Sequence, residues 1–221
     1  MSAIDWLPLW LTLQLATLTT IVLLIIGLPL AYKMAYSRNR FKPVFEALIS
    51  MPLVLPPSVL GFYLLLAFSP QSSFSRWLDH WLGVQLAFSF AGLLIASIIF
   101  SLPFMVQPLQ AGFQHLPQSL LEASRTLGKP DHVTLFRVLL PNMKGALLTA
   151  TVLSFAHTIG EFGVVLMIGG NIPGVTRVAS IAIYDHVESL RYASAHAYSA
   201  VLLLLSFAIL LTVYVLNRRW Q

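Results

Sequence analysis

EASRTLGKPDHVTLFRVLLP, residues 122–141, is a polar, charged island between two long apolar blocks. Residues 117–127 read as a short helix, because Pro117 suits a first helical position and Gly128, Lys129 and Pro130 form a stop signal. At helical spacing Leu120, Ala123 and Leu127 share one face, while Gln118, Glu122 and Arg125 lie elsewhere. One face therefore has something to dock against. Periodicity alone leaves a second reading open, a solvated loop with an incidental amphipathic turn.

Outward from the island the chain is apolar. Hydrophobic residues make up 57% of it and charged residues 10%, with a mean hydropathy of +0.81, which excludes an ordinary water-soluble domain. The fold class expected is an all-α polytopic membrane protein forming one transmembrane domain over residues 1–221. With no cysteine, disulfides, thiolate metal sites and thiol catalysis are excluded. The net charge of +5 argues for topology by its placement, and nothing in it signals nucleic acid.

A hydrocarbon core of about 30 Å needs about 20 helical residues to cross. Five stretches qualify, near residues 7–32, 48–68, 86–107, 146–167 and 197–215. No Lys or Arg precedes the first, and Lys33, Arg38, Arg40 and Lys42 follow it, which fits a retained span with its N-terminus outside. Continuing the count, Arg125, Lys129, Arg137, Lys144, Arg218 and Arg219 fall inside, whereas Arg76, Arg177 and Arg191 fall outside. This bias predicts an inner C-terminus and an inner island, so that residues 114–141 are cytoplasmic.

Trp77 and Trp81 mark the first outer loop as interfacial. The second contains the turn signal GGNIPG, residues 169–174, followed by Arg177, Asp185, His186, Glu188 and Arg191, too many ionisable groups for a sixth span. Residues 180–191 read as an amphipathic helix on the outer face, with Ile181, Tyr184 and Val187 turned to the apolar side. Pro29, Pro52, Pro56, Pro57 and Pro103 lie inside spans, and the MPLVLPP run predicts a bent second span.

Glu161, in HTIGEFG, is the one carboxylate deep in an expected span and should face protein or a water-filled cavity. His157 is one turn earlier and in reach as a hydrogen-bond partner. Three readings stand: a structural carboxylate bracing the loosened helix at Gly160 and Gly163, a pathway residue, or half of a metal site lacking a third ligand. The first is favoured. Hydroxyls recur at Thr12, Thr17, Thr19 and Thr20, at Ser97 and Ser101, and at Thr149, Thr151, Ser154 and Thr158. They either pack helices or line a wet route. Phe162, Met167 and Asn171 lie toward the outer end of the fourth span as gate candidates. No G-x-S-x-G turn and no phosphate-cradling GxxxxGK(S/T) is present, so energy from ATP would have to come from another polypeptide.

The island resembles the signature of permease subunits of ABC importers: E-A-A, three residues, G, nine residues, I, one residue, L-P. Glu122, Ala123, Gly128, Leu140 and Pro141 match, with Ser124 in place of the second Ala and Val138 in place of the Ile. The resemblance implies a type I permease fold in which these residues form a coupling segment docking on a cytoplasmic ATPase. A finer resemblance, to the molybdate permease branch, is carried by MPLVLPPSVLGFYLLL (51–66), SFAHTIGEFGVVLMIGGNIPG (154–174) and IAIYDHVE (181–188). It departs at His157, where that branch commonly has Arg.

The resemblance implies a bacterial-type inner-membrane subunit working as a homodimer with two ATPase copies, which hold ATP and Mg, and a periplasmic oxyanion-binding protein. It assigns no cofactor to this chain. Pathway or gate candidates are Ser154, Thr158, Glu161, Phe162 and Asn171. Sulfate and tungstate permeases share much of the GEFG pattern, and an ATP-independent channel or carrier is the alternative from another class.

Overall fold

The computed structural model describes residues 5–218, and every regular element among them is helical. Residues 1–4 and Arg219, both used in the charge count, lie outside the described residues. The helix α1 (Leu7–Tyr36) runs 30 residues without interruption. Asp5 accepts a hydrogen bond from the Leu7 amide at 3.0 Å, satisfying one free donor of its first turn. At about 1.5 Å per residue, α1 is about 45 Å long and overshoots the hydrocarbon layer.

Five shorter or broken elements follow: α2 (Lys42–Val54), α3 (Pro57–Phe68), α4 (Ser73–Leu82), α5 (Phe90–His115) and α6 (Gln118–Thr126). The expected second span is two helices bent by 110°. Neither Pro56 nor Pro57 can donate to the helix before it, and Pro57 opens α3 at its first position, where a missing N–H costs nothing. α5 starts later than expected and reaches His115, passing through both Pro103 and Pro108.

After α6 come α7 (Asp131–Thr134), a π-helical turn (Leu135–Leu139) and α8 (Leu140–Asn142). α9 (Lys144–Gly160) and α10 (Gly163–Gly169) then replace the continuous fourth span expected over 146–167. Glu161 turns extended, at φ −68° and ψ 132°, between two glycines that give the helix little to hold it. The helix expected over 180–191 is α11 (Ala179–Glu188), which stops short because Leu190 adopts φ 57°. The chain closes on α12 (Tyr192–Arg218).

Three helices, α1, α5 and α12, are long and apolar enough to cross a membrane. Counting two bent pairs as single spans raises this to five: α2 with α3, and the 131–142 segment with α9, which meet at 88°. In the bundle α1, α5 and α9 pack on one another, α10 packs on α3 and α5, and α11 on α12.

Small residues set the close approaches. A Cβ on Gly27 would lie 2.8 Å from Met105 Cγ, and one on Gly112 would lie 2.5 Å from the Ala146 Cβ. The core divides along α5. One cluster joins Leu15, Leu60, Leu93, Val165 and Ile168; the other joins Leu23, Met105, Leu109, Phe113, Leu121 and Leu139 at the α6 end.

At Gly92 the neighbour is backbone: an added Cβ would fall 1.8 Å from the Leu86 carbonyl oxygen. Gly92→Ala should therefore cost about 1–3 kcal/mol, more than Gly27→Ala, where the Met105 side chain can yield. Thermal unfolding in detergent compares the two, and equal midpoints would contradict it.

Candidate functional site

The polar island begins within α6, which has Pro117 just before its first helical residue, and continues through α7 and the π-helical turn into α8. At its far end Gly128 takes φ +65°, and the Lys129 amide donates back to the Ser124 carbonyl at 3.1 Å. A Cβ there would meet nothing within 4 Å, so the glycine is needed for its conformation rather than for space.

The face of α6 turned to its own chain is Leu121 and Ser124, both buried. Leu121 joins the core cluster of Leu135 and Leu139, and the Ser124 and Thr134 hydroxyls lie 2.7 Å apart. The substitution of Ser124 for the signature's alanine is thus matched by a hydroxyl opposite. Glu122, Ala123, Arg125 and Gly128 are exposed, Leu127 is 73% exposed, and Leu120 is half-buried. The grouping of Leu120, Ala123 and Leu127 is consequently the outward face, and the inward one was not read from periodicity. Val138 and Leu140 are half-buried and Pro141 exposed. Pro141 lacks an N–H and its ring crowds the carbonyl four residues back, and the turn before it widens, the Leu140 amide reaching Leu135.

Far from α6, α9 and α5 share a buried polar seam. Ser97 donates to Glu161 Oε2 at 3.0 Å, while Oε1 has no partner. Ser101 bonds His157 Nδ1 at 2.9 Å and the Thr158 hydroxyl at 3.1 Å, and Thr158 donates to the Ser154 carbonyl. Ser154 is buried with its own hydroxyl unpartnered. His157 also stacks on Phe104, with ring centroids 3.9 Å apart.

The His157–Glu161 pairing inferred from helical spacing does not occur. Glu161 has left the helix, so the two side chains engage different serines of α5. Ser180, not singled out from sequence, donates to the Glu161 carbonyl at 2.6 Å and holds the break from α11. Its only sequence signal is a small hydroxyl on an otherwise apolar helix start.

Phe162 and Asn171 come together on α11 rather than on the seam. The Phe162 and Tyr184 rings lie 5.0 Å apart, and Asn171 donates to Asp185 at 3.0 Å while accepting from Arg177 Nε. Arg191 pairs with the same aspartate at 3.4 Å. The Ala179 amide donates to the Thr12 hydroxyl at 2.8 Å, fixing α11 on α1. Met167 is half-buried, packed where a Cβ on Gly61 would strike it.

Among the described residues no three His, Cys, Asp or Glu side chains converge as metal ligands. The arrangement is that of a jointed bundle: an exposed helix with a firmly packed underside, and a polar break in the bilayer-depth segment.

The sequence profile of the family described as "Binding-protein-dependent transport system inner membrane component" matches residues 9–221. The chain belongs to this family. It is a multi-pass inner-membrane component, a permease of the ABC importer type. It is 46% identical to the molybdenum transport system permease protein ModB of Azotobacter vinelandii over 97% of this chain and 95% of that one. It is 36% identical to a probable sulfate transport system permease protein, cysT, of Zygnema circumcarinatum over 91% of this chain and 70% of that one.

Two solved structures share the fold at 17% identity. One is an inward-facing form of the MetNI methionine ABC transporter, with a TM-score of 0.72 over 98% of this chain and 97% of that one. The other is a bacterial ABC transporter involved in alginate import, with a TM-score of 0.77 over 96% of this chain and 78% of that one. These permeases are transport components working with ATPase and substrate-binding partners, and the fold here is that of type I importers.

Removing Ser97 tests the seam. Ser97→Ala leaves the buried Glu161 carboxyl without a side-chain donor and should cost about 1–3 kcal/mol, whereas Glu161→Gln, able to keep one hydrogen bond, should cost less. Unfolding midpoints in detergent give the ranking. A silent Ser97→Ala would remove the bracing role.

Proposed function

We propose that this chain is the permease subunit of an ATP-driven importer of molybdate. The observation that carries the substrate is the 46% identity to a molybdenum permease across nearly the full length of both chains. The similarity to sulfate permeases keeps sulfate as the second reading, with tungstate as a chemical analogue.

In this reading the N-terminus lies outside, and the α6 end and C-terminus lie inside. Two copies meet about a two-fold axis, since one such bundle is too small to enclose a gated path. Two ATPase subunits, which bind ATP and Mg, grip Glu122, Ala123, Leu127 and Gly128. Ser124, Val138, Leu140 and Pro141 carry the movement on, through the Leu121–Leu135–Leu139 packing into α5 and α9. A periplasmic binding protein delivers the oxyanion at the α11 end, and no nucleic acid is involved.

Ser154, Thr158, Glu161, Phe162 and Asn171 border or gate the route. Along the seam of Ser154, Thr158 and Glu161 a passing anion meets hydroxyls and dipoles rather than a fixed cation, so affinity stays low in the path and high on the binding protein. Glu161 acts here by keeping the α9–α10 joint defined through Ser97 and Ser180.

Reconstitution in proteoliposomes with the ATPase and binding protein tests the coupling. Glu122→Arg should lower oxyanion uptake and its coupled ATP hydrolysis by about tenfold, the effect of ~1.4 kcal/mol lost in docking. Undiminished coupling would refute the role of α6, and conduction by the chain alone would favour an ATP-independent channel or carrier. For the substrate, calorimetry on the binding protein should rank molybdate above sulfate; the reverse order would make this a sulfate permease.

A further inference from the structure

The end of α1, the last turn of α5 and the whole of α6 enclose a concavity of about 700 Å³. Arg38, just past α1, and Arg125 of α6 both line it, together with Tyr36, Gln114 and Gln118. No carboxylate lines it. The ion pairs among the described residues are Lys42 with Glu46 and Arg191 with Asp185, so neither arginine is held in a direct ion pair.

Other polar groups are already committed. The Tyr36 hydroxyl donates to the Phe113 carbonyl at 3.1 Å, and the Arg125 guanidinium lies beside the Tyr32 hydroxyl, which Asp131 approaches from α7. Gln118 opens the first turn of α6, where no side chain caps the free amides. Two guanidinium forks from different elements and amide donors, with no carboxylate among the lining residues, describe a site for an oxyanion with several charged oxygens.

We propose that this concavity binds a phosphate-type oxyanion between Arg38 and Arg125, clamping α6 to the end of α1. The two arginines stand on opposite sides of the joint: Arg38 lies two residues past the end of α1, and Arg125 rides on the helix with the exposed outer face. Occupancy would therefore stiffen α6 against displacement. The same chemistry is offered by the phosphodiester headgroup of an anionic lipid and by a free tetrahedral dianion, and the site accepts either by the same contacts.

Thermal unfolding of the full-length chain tests this without an ATPase or a substrate, so its failure is separate from failure of the transport assignment. One arm titrates inorganic phosphate against chloride at constant ionic strength, in detergent. A second compares nanodiscs of phosphatidylcholine with nanodiscs containing phosphatidylglycerol. At tenfold excess over the dissociation constant the midpoint should rise by about 3–5 °C in at least one arm.

A rise with inorganic phosphate assigns a soluble ligand; a rise confined to phosphatidylglycerol assigns a lipid headgroup. Arg38→Gln and Arg125→Gln should each abolish the rise, Arg38→Lys should weaken it by losing the fork, and Arg40→Gln, outside the concavity, should retain it. No rise in either arm, or rises in both Gln variants equal to the unsubstituted chain, would overturn the proposal.

Discussion

A helix interrupted inside hydrocarbon exposes amides and carbonyls that lipid cannot satisfy. At the break between α9 and α10 the Glu161 carbonyl is met by a hydroxyl of another element, and two further bonds brace the surroundings. α5 offers Ser97 to the Glu161 carboxyl, α11 offers Ser180 to the Glu161 carbonyl, and α1 offers Thr12 to the first amide of α11. Each bond crosses a helix boundary, so the bundle cannot rearrange at this depth without breaking several together. The rest of the α11 end, including the Phe162–Tyr184 contact and the Asn171–Asp185–Arg191 chain, is arranged around that fixed joint.

The opposite end is built on apolar packing. Leu121, Leu135, Leu139 and Met143 belong to one cluster with Phe113 and Leu109, and the Ser124–Thr134 hydroxyl pair ties α6 to α7 within it. A push on α6 is thus delivered to α5 and α9 through close-packed side chains, which transmit displacement because they leave little room to absorb it. The π-helical turn before Pro141 is one irregular point on that path. It shifts the register within the 131–142 segment, and the 88° corner with α9 follows at Met143, where φ is −126° and ψ 31°.

Much of this was legible from residues with strong backbone preferences. Pro56 and Pro57 announced the bend, Gly128 the end of α6, and GGNIPG the turn before α11, because each restricts or releases φ in a way tertiary context does not override. Burial was harder to read. Over a helix of nine residues Leu120 and Leu121 are equally plausible inward residues, and only the position of Leu135 and Leu139 decides between them. The His157–Glu161 inference failed because it assumed a continuous helix through Gly160. α4 was missed since its amphipathic spacing is confined to ten residues, with Ser72 capping the start and Gly83 the end.

Gly128 combines open surroundings with a backbone angle of +65°. Handedness, rather than bulk, restricts what can stand there. An L-alanine would strain the turn although nothing touches its methyl group, while its mirror image, introduced by peptide ligation, would sit in a conformation natural to it. The end of α6 is in that sense a chiral filter: it accepts the achiral residue that translation supplies, and would accept an enantiomer that translation does not.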